Sequence, residues 1–70
     1  MNRWGPPKRT QADKVQDAVL FIYQARDHII LGMTAERLCA EKGVTKRDDQ
    51  RMIETKLLAR QAQIRRGAAA

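Results

Sequence analysis

Residues 34–57, TAERLCAEKGVTKRDDQRMIETKL, decide the predicted fold of this chain. Thr34 has the side chain of a helix N-cap, and the pattern after it predicts a short helix from about Ala35 to Lys42. Gly43 can adopt the left-handed conformation that ends a helix, which predicts a sharp turn at this point. We therefore expect a short helix, a turn and a further helix.

The helix after the turn is expected to be long. Thr45 predicts its N-cap, Asp48 would complete a capping box, and no helix breaker follows before Gly67. Its inward stripe is narrow and resembles the seam of a coiled coil, because its positions are spaced by 4, 3 and 4 residues. The stripe consists of Ile53, Leu57 and Ile64, with Arg60 in line. It could pack against the rest of the chain or against a second copy.

A long amphipathic helix is predicted before this segment, from Thr10 to about Leu31. Thr10 predicts its N-cap, and Asp13 three residues later forms an approximate capping box. One face is apolar and is expected to form the core: Val15, Ala18, Val19, Ile22, Ala25, Ile29 and Ile30. Three large apolar residues fall on the polar side: Leu20, Phe21 and Leu31. Because a single core would leave these three in water, they predict a second contact surface.

Both chain ends flank one small helical domain. Gly5-Pro6-Pro7 cannot be helical, and the basic residues around it predict that residues 1–9 form a flexible basic arm. Residues 10–66 are predicted to form a single helical domain, and residues 67–70 a tail. The expected fold class is all-α: a three-helix domain with a long, a short and a long helix that contains a central helix-turn-helix.

The composition argues against catalytic and metal chemistry. The 70 residues contain one cysteine, one histidine and no serine, so no internal disulfide can form and a structural zinc site lacks ligands. Cys39 and His28 belong to different predicted helices, which argues against a nucleophile–base pair. We expect Cys39 to pack as a small hydrophobic residue, and we expect no enzymatic activity, no cofactor and no metal.

The size of the chain limits how stable it can be by itself, and its hydropathy indicates where it is located. A core of this size seldom contributes more than about 3–5 kcal/mol, so oligomerisation or partner binding is expected. The longest apolar run, residues 18–23, is far shorter than the roughly 20 residues that cross a bilayer. The basic start is not followed by the apolar stretch of a secretory signal. We therefore expect no membrane partner and a cytoplasmic location.

Positive charge is concentrated at both ends of the chain. The net charge is +6, of which residues 1–14 carry +3, residues 15–45 carry −1 and residues 46–70 carry +4. Such a positive footprint binds the phosphates of nucleic acid through counterion release, whatever the base sequence. Double-stranded DNA is therefore the expected partner.

Residues 43–53, GVTKRDDQRMI, resemble the recognition-helix entry of bacterial helix-turn-helix regulators of the DeoR kind. The pattern of that family runs Gly-Val-Ser, basic or polar positions, and then Arg and an aliphatic residue. The resemblance implies that Gly43 forms the turn, Val44 packs in the core and Thr45 caps the helix. It also implies groove-facing or phosphate-facing roles for Lys46, Arg47, Gln50 and Arg51.

The chain departs from the pattern of that family at two places. The family has a branched apolar residue where Asp49 stands, at a position that packs the third helix on the second. Residues 54–66 keep a helical composition, so the β-hairpin wing of the family is not expected. The resemblance therefore implies a helical domain without a wing.

The first functional hypothesis is a small DNA-binding transcriptional regulator that forms a homodimer. Its third helix would enter the major groove, and its arm would follow the minor groove or the backbone. The candidate DNA contacts are Thr45, Lys46, Arg47, Gln50, Arg51 and Lys56, together with Arg3, Lys8 and Arg9 of the arm. The two copies would meet through Leu20, Phe21 and Leu31, or through the seam of Ile53, Leu57 and Ile64.

The second hypothesis is a small accessory protein of the kind that phages and plasmids encode, which binds a host protein and inhibits or redirects it. An exposed apolar and aromatic helical surface fits such a role. Its expected anchors are Trp4, Phe21, Tyr23 and Arg26. A third possibility, an amphipathic helix on a membrane surface, fits poorly because the third helix has too few large apolar residues on its face.

Overall fold

The computed structural model of the protein describes residues 10–69, with side chains up to residue 67. Within this range the chain is all-α, as predicted. It forms four helices: α1 (Gln11–Gln24), α2 (Asp27–Leu31), α3 (Ala35–Lys42) and α4 (Arg47–Ala69). Helix α4 packs against each of the other three, and α1 also contacts α3. The predicted flexible arm, residues 1–9, lies outside the described residues.

Local sequence signals set the start of α1 and both ends of α3. The Thr10 hydroxyl accepts a hydrogen bond from the Asp13 N–H, and the Asp13 carboxylate accepts one from the Thr10 N–H, each at 3.2 Å. The Thr34 hydroxyl accepts a bond from the Arg37 N–H at 3.1 Å. Gly43 follows α3 with a φ of 75°, in the left-handed region. The predicted capping box, the predicted N-cap and the predicted bounds of the short helix are confirmed.

The prediction of one continuous helix up to Leu31 is wrong. The chain leaves the helical conformation at Ala25 and Arg26, whose ψ angles are 155° and 152°. A continuous helix would keep Ile29 on the buried stripe of α1. After the break, Ile30 is fully buried and Ile29 is 40% exposed. The described part of the chain therefore has four helices where the sequence predicted three.

A buried glutamine explains the position of α2. Gln61 of α4 is 6% exposed, and its Nε2 donates hydrogen bonds to the carbonyl oxygens of Ile30 and Met33, each at 2.9 Å. The Ile30 carbonyl, in the last turn of α2, also accepts a hydrogen bond from the Met33 N–H at 3.1 Å. The Met33 carbonyl belongs to the loop after α2, where helix-internal donors are missing. These two hydrogen bonds hold the short helix against α4, although Gln61 lies about 30 positions further along the chain.

The apolar stripe of α4 lies in the core of a single chain. The predicted positions Ile53, Leu57 and Ile64 are buried, and Gln61 rather than Arg60 completes the stripe. The other buried apolar residues are Ala18, Ile22, Ile30, Leu38, Cys39 and Val44. Helices of the same chain already cover this stripe, so its side chains are buried without a second copy.

The three apolar residues predicted to form a second contact surface are not equivalent. Leu20 and Leu31 are 42% and 37% exposed, as expected from the helical wheel. Phe21 is half-buried and packs against the core, and Nζ of Lys42 in α3 lies 5.6 Å from its ring centroid. The prediction of an exposed Phe21 is therefore corrected, because α3 approaches α1 on that side.

Both ends of α4 differ from the prediction by a few residues. Arg47 is the first helical residue, and the Lys46 carbonyl accepts a hydrogen bond from the Gln50 N–H at 2.9 Å. Lys46 therefore occupies the N-cap position that the sequence assigned to Thr45. At the other end, the helix continues to Ala69, so most of the predicted tail is helical.

Candidate nucleic-acid interface

Three hydrogen bonds fix the turn between α3 and α4. The N–H of Gly43 donates to the Ala40 carbonyl at 3.3 Å. The N–H of Val44 donates to the Cys39 carbonyl at 2.9 Å, which completes the Schellman arrangement that a left-handed residue allows. Nε2 of Gln50 donates to the Val44 carbonyl at 2.9 Å. The first turn of α4 is therefore held in a defined position at the end of α3.

The residues predicted to contact DNA lie on the surface at the start of α4. Those that are exposed are Thr45, Lys46, Arg47, Gln50 and Arg51. The three cations among them form no ion pair within the described part of the chain. Lys56, the sixth predicted contact, is half-buried. The amide of Gln50 already serves the turn, so the residues free to bind a partner here are chiefly the cations.

Two further lysines lie beside this turn, and the sequence analysis missed both. The side chain of Lys14 runs past Gly43: its Cδ, Cε and Nζ lie 3.6, 3.8 and 3.8 Å from the position that a Cβ of Gly43 would occupy. Lys42 is the last residue of α3 and directly precedes Gly43. No local pattern indicates these positions for binding, because the approach of Lys14 depends on the packing of α1 against α3.

A cleft of about 410 Å³ lies between α3 and the first half of α4. Its lining combines apolar residues, Ala35, Cys39, Ala40 and Val44, with charged ones, Glu36, Arg47, Arg51 and Glu54. Burial raises the pKa of the Cys39 thiol, and the carboxylate of Glu54 raises it further. The thiol therefore stays protonated at neutral pH and is not an activated nucleophile.

Other binding chemistry has little support within residues 10–69. Three or more potential metal ligands do not come together anywhere in this range. No helix there combines the length and the apolar character that crossing a membrane requires. The predicted contacts Arg3, Trp4, Lys8 and Arg9 lie outside the described residues.

No protein-family model matches the chain. Likewise, no curated protein and no solved structure matches it. The resemblance to DeoR-type regulators therefore rests on the sequence of residues 34–57 alone, with the motif in residues 43–53. What this surface binds has to be inferred from its charges and its geometry.

Proposed function

We propose that the protein is a small transcriptional regulator that binds double-stranded DNA through the start of α4. The observation that carries the proposal is the exposure of Lys46, Arg47 and Arg51, without ion-pair partners among the described residues, on a helix fixed behind a left-handed Gly43. The major groove is about 12 Å wide and admits an α-helix. An unpaired arginine on such a helix can bond the O6 and N7 atoms of guanine with both of its terminal nitrogens.

The charge around the turn supports the same partner. Lys14 and Lys42, beside Gly43, extend the positive surface from the start of α4 to the end of α3. Each cation that neutralises a DNA phosphate releases counterions, which supplies affinity that is independent of base sequence. The basic residues of the arm would add to this term.

The residues at the start of α4 divide into two proposed roles. Arg47 and Arg51 are four positions apart and share a helix face, so we assign the base contacts to them. We assign Thr45 and Lys46, which precede the helix, to a phosphate. Gln50 has the role of holding the turn, because its amide donates to the Val44 carbonyl at 2.9 Å.

The proposal includes a homodimer in the cytoplasm. Two recognition helices would read half-sites about one helical turn apart, which is how regulators of this size gain specificity. Because the stripe of Ile53, Leu57 and Ile64 is buried in one chain, the exposed Leu20 and Leu31 are the described candidates for the contact between copies.

The test is fluorescence anisotropy of a labelled random duplex at several salt concentrations. We expect salt-dependent binding by the wild type and its loss in the double variant Lys46→Glu, Arg47→Glu. The matched control is Arg26→Glu, Arg37→Glu, which changes the net charge by the same amount at exposed positions outside α4. Absence of wild-type binding at low salt, or equal losses in both variants, would contradict the proposal.

One observation favours a second candidate, a protein that binds a host protein. Leu20 and Tyr23 are 42% and 56% exposed and lie one turn apart on α1, and the half-buried Phe21 is next to Leu20 in the sequence. Exposed apolar and aromatic side chains on one helix face form the usual anchors of a protein contact. Recovery of one stoichiometric protein by the wild type, but not by Leu20→Glu, would favour this candidate over DNA binding.

A further inference from the structure

The two halves of α4 carry different charge. Residues 46–54 contain three basic and three acidic residues, so the start of the helix is neutral overall. Residues 55–69 contain four basic residues and no acidic one. The net positive charge of this long helix therefore lies in its second half, away from the turn that precedes the helix.

The free cations of the second half are at its far end. Arg60 approaches the Asp27 carboxylate of α2 at 3.9 Å and donates to the Gln63 side chain at 3.0 Å, and Lys56 is half-buried. Arg65 and Arg66 are exposed and form no ion pair among the described residues. These two arginines are therefore the available charges.

Arg65 lies on the same exposed face of α4 as Arg51. Positions 51, 55, 58, 62 and 65 recur at spacings of 4, 3, 4 and 3 residues, so they follow one line along the helix. All of them are exposed, and the residues between the two arginines on this line are neutral: Thr55, Leu58 and Ala62. Beyond Glu54, which lies three residues after Arg51 at the edge of this line, an anionic surface would meet no carboxylate up to Arg65.

The length of α4 decides where its second half must go. At 1.5 Å per residue, Arg51 and Arg65 are about 21 Å apart along the helix axis, and the whole helix is about 34 Å long. The major groove is only about 12 Å wide and 8.5 Å deep. A helix that lies across the groove with its first turns extends beyond the groove over this length, which would place its far end over the phosphate backbone.

We infer that the second half of α4 binds the phosphodiester backbone of duplex DNA through Arg65 and Arg66. The inference rests on the proposed function and deepens it, because it assigns backbone contact to a part of the helix that the turn motif does not include. Mixed polar and charged residues at the start of α4 suit the reading of base edges, whereas a purely basic segment suits phosphates. The second half of α4 thus supplies affinity for the DNA backbone, and the start of α4 supplies the preference for particular bases.

The experiment compares how steeply duplex affinity falls with salt in three proteins. They are the wild type, the double variant Arg65→Gln, Arg66→Gln, and the control Arg26→Gln, Arg37→Gln with the same change in charge. Glutamine keeps a high helix propensity, and circular dichroism checks that each variant folds. Each lost phosphate contact lowers the slope of log K against log salt by about 0.9 in magnitude.

For Arg65→Gln, Arg66→Gln we expect the magnitude of the slope to fall by about 1.8. The factor by which affinity falls between 50 mM and 200 mM salt would then be about tenfold smaller than in the wild type. The control should keep the wild-type slope. If both arginines merely interact with the carbonyl groups at the end of their own helix, the slope will not change. An unchanged slope in a folded variant, or an equal change in the control, would overturn the inference while leaving duplex binding by the wild type intact. Absence of wild-type duplex binding would overturn both proposals.

Discussion

The two halves of α4 do different work in this fold. The first half adjoins α3, follows a left-handed turn and carries balanced charge over residues 46–54. The second half adjoins α2, contains the buried Gln61 and has no carboxylate over residues 55–69. Both halves also have an inner face and an outer face. The inner face holds the other helices in place, and the outer face carries the charged side chains. Stability and charge can therefore be changed separately by substitution, because each turn of the helix has both inner and outer residues.

The largest change in stability is expected when the hydrogen bonds of Gln61, which hold α2 against the second half of α4, are removed. Gln61→Met keeps the length of the side chain but removes the N–H groups that bond the Ile30 and Met33 carbonyls at 2.9 Å. The Ile30 carbonyl keeps the Met33 N–H as a donor at 3.1 Å, whereas the Met33 carbonyl loses the donor it has in Gln61. A buried acceptor left without its donor costs about 1–3 kcal/mol, so we expect a loss of about 2 kcal/mol of unfolding free energy. Urea denaturation monitored by circular dichroism measures this loss.

The control for this variant is Gln63→Met, two positions away on an exposed part of α4. Its amide oxygen accepts only a surface hydrogen bond from Arg60, so we expect a change below about 0.5 kcal/mol. Equal stability of the two variants would show that the buried amide does not fasten α2 to α4.

A smaller loss is expected at the entry to the first half. Gly43 has a φ of 75°, and an alanine there would have room, because the nearest atoms are those of the flexible Lys14 side chain at 3.6 Å. The cost of Gly43→Ala is therefore backbone strain of about 1 kcal/mol. Thermal unfolding of this variant, with the DNA titration beside it, checks whether the turn stabilises the domain and positions α4.

Gly32→Ala is the matched control for the turn. Gly32 has a φ of −90°, which alanine adopts without strain, and the nearest atom to its added Cβ would be 3.6 Å away. We expect this variant to be as stable as the wild type or slightly more stable. If Gly43→Ala behaved in the same way, the left-handed conformation would have no part in fixing α4.

Features of the fold that depend on neighbouring residues could be predicted from the sequence. The capping box at Thr10, the N-cap at Thr34 and the left-handed Gly43 each involve contacts within a few residues, so their local patterns are sufficient. The break at Ala25 and Arg26 has no such signal, since neither proline nor glycine marks it. It accompanies the contact of α2 with Gln61, which only the tertiary fold brings into reach.

The candidate site likewise has features that the sequence predicted and features that depend on the tertiary fold. The resemblance implied outward-facing positions for Arg47 and Arg51, and both side chains are exposed. The place of Lys14 beside Gly43 depends on how α1 packs on α3, which no pattern within either helix specifies. The exchange of Arg60 for Gln61 on the buried stripe has the same origin, because α2 supplies the carbonyls that accept the buried amide.

The smallest effect is expected at the cleft beside the first half of α4, and it depends on pH. Burial and the Glu54 carboxylate raise the pKa of the Cys39 thiol in the folded state above its ordinary value of 9.0. The unfolded chain therefore loses this proton at a lower pH than the folded one, so stability falls as pH rises through that value. Urea denaturation between pH 7.5 and 10 under reducing conditions should show this fall in the wild type. Cys39→Ala should show a shallower fall because it lacks the thiol, and Glu54→Gln should show an intermediate one because it removes the second cause of the raised pKa. Identical pH profiles for all three proteins would mean that the thiol and Glu54 are not coupled across the cleft.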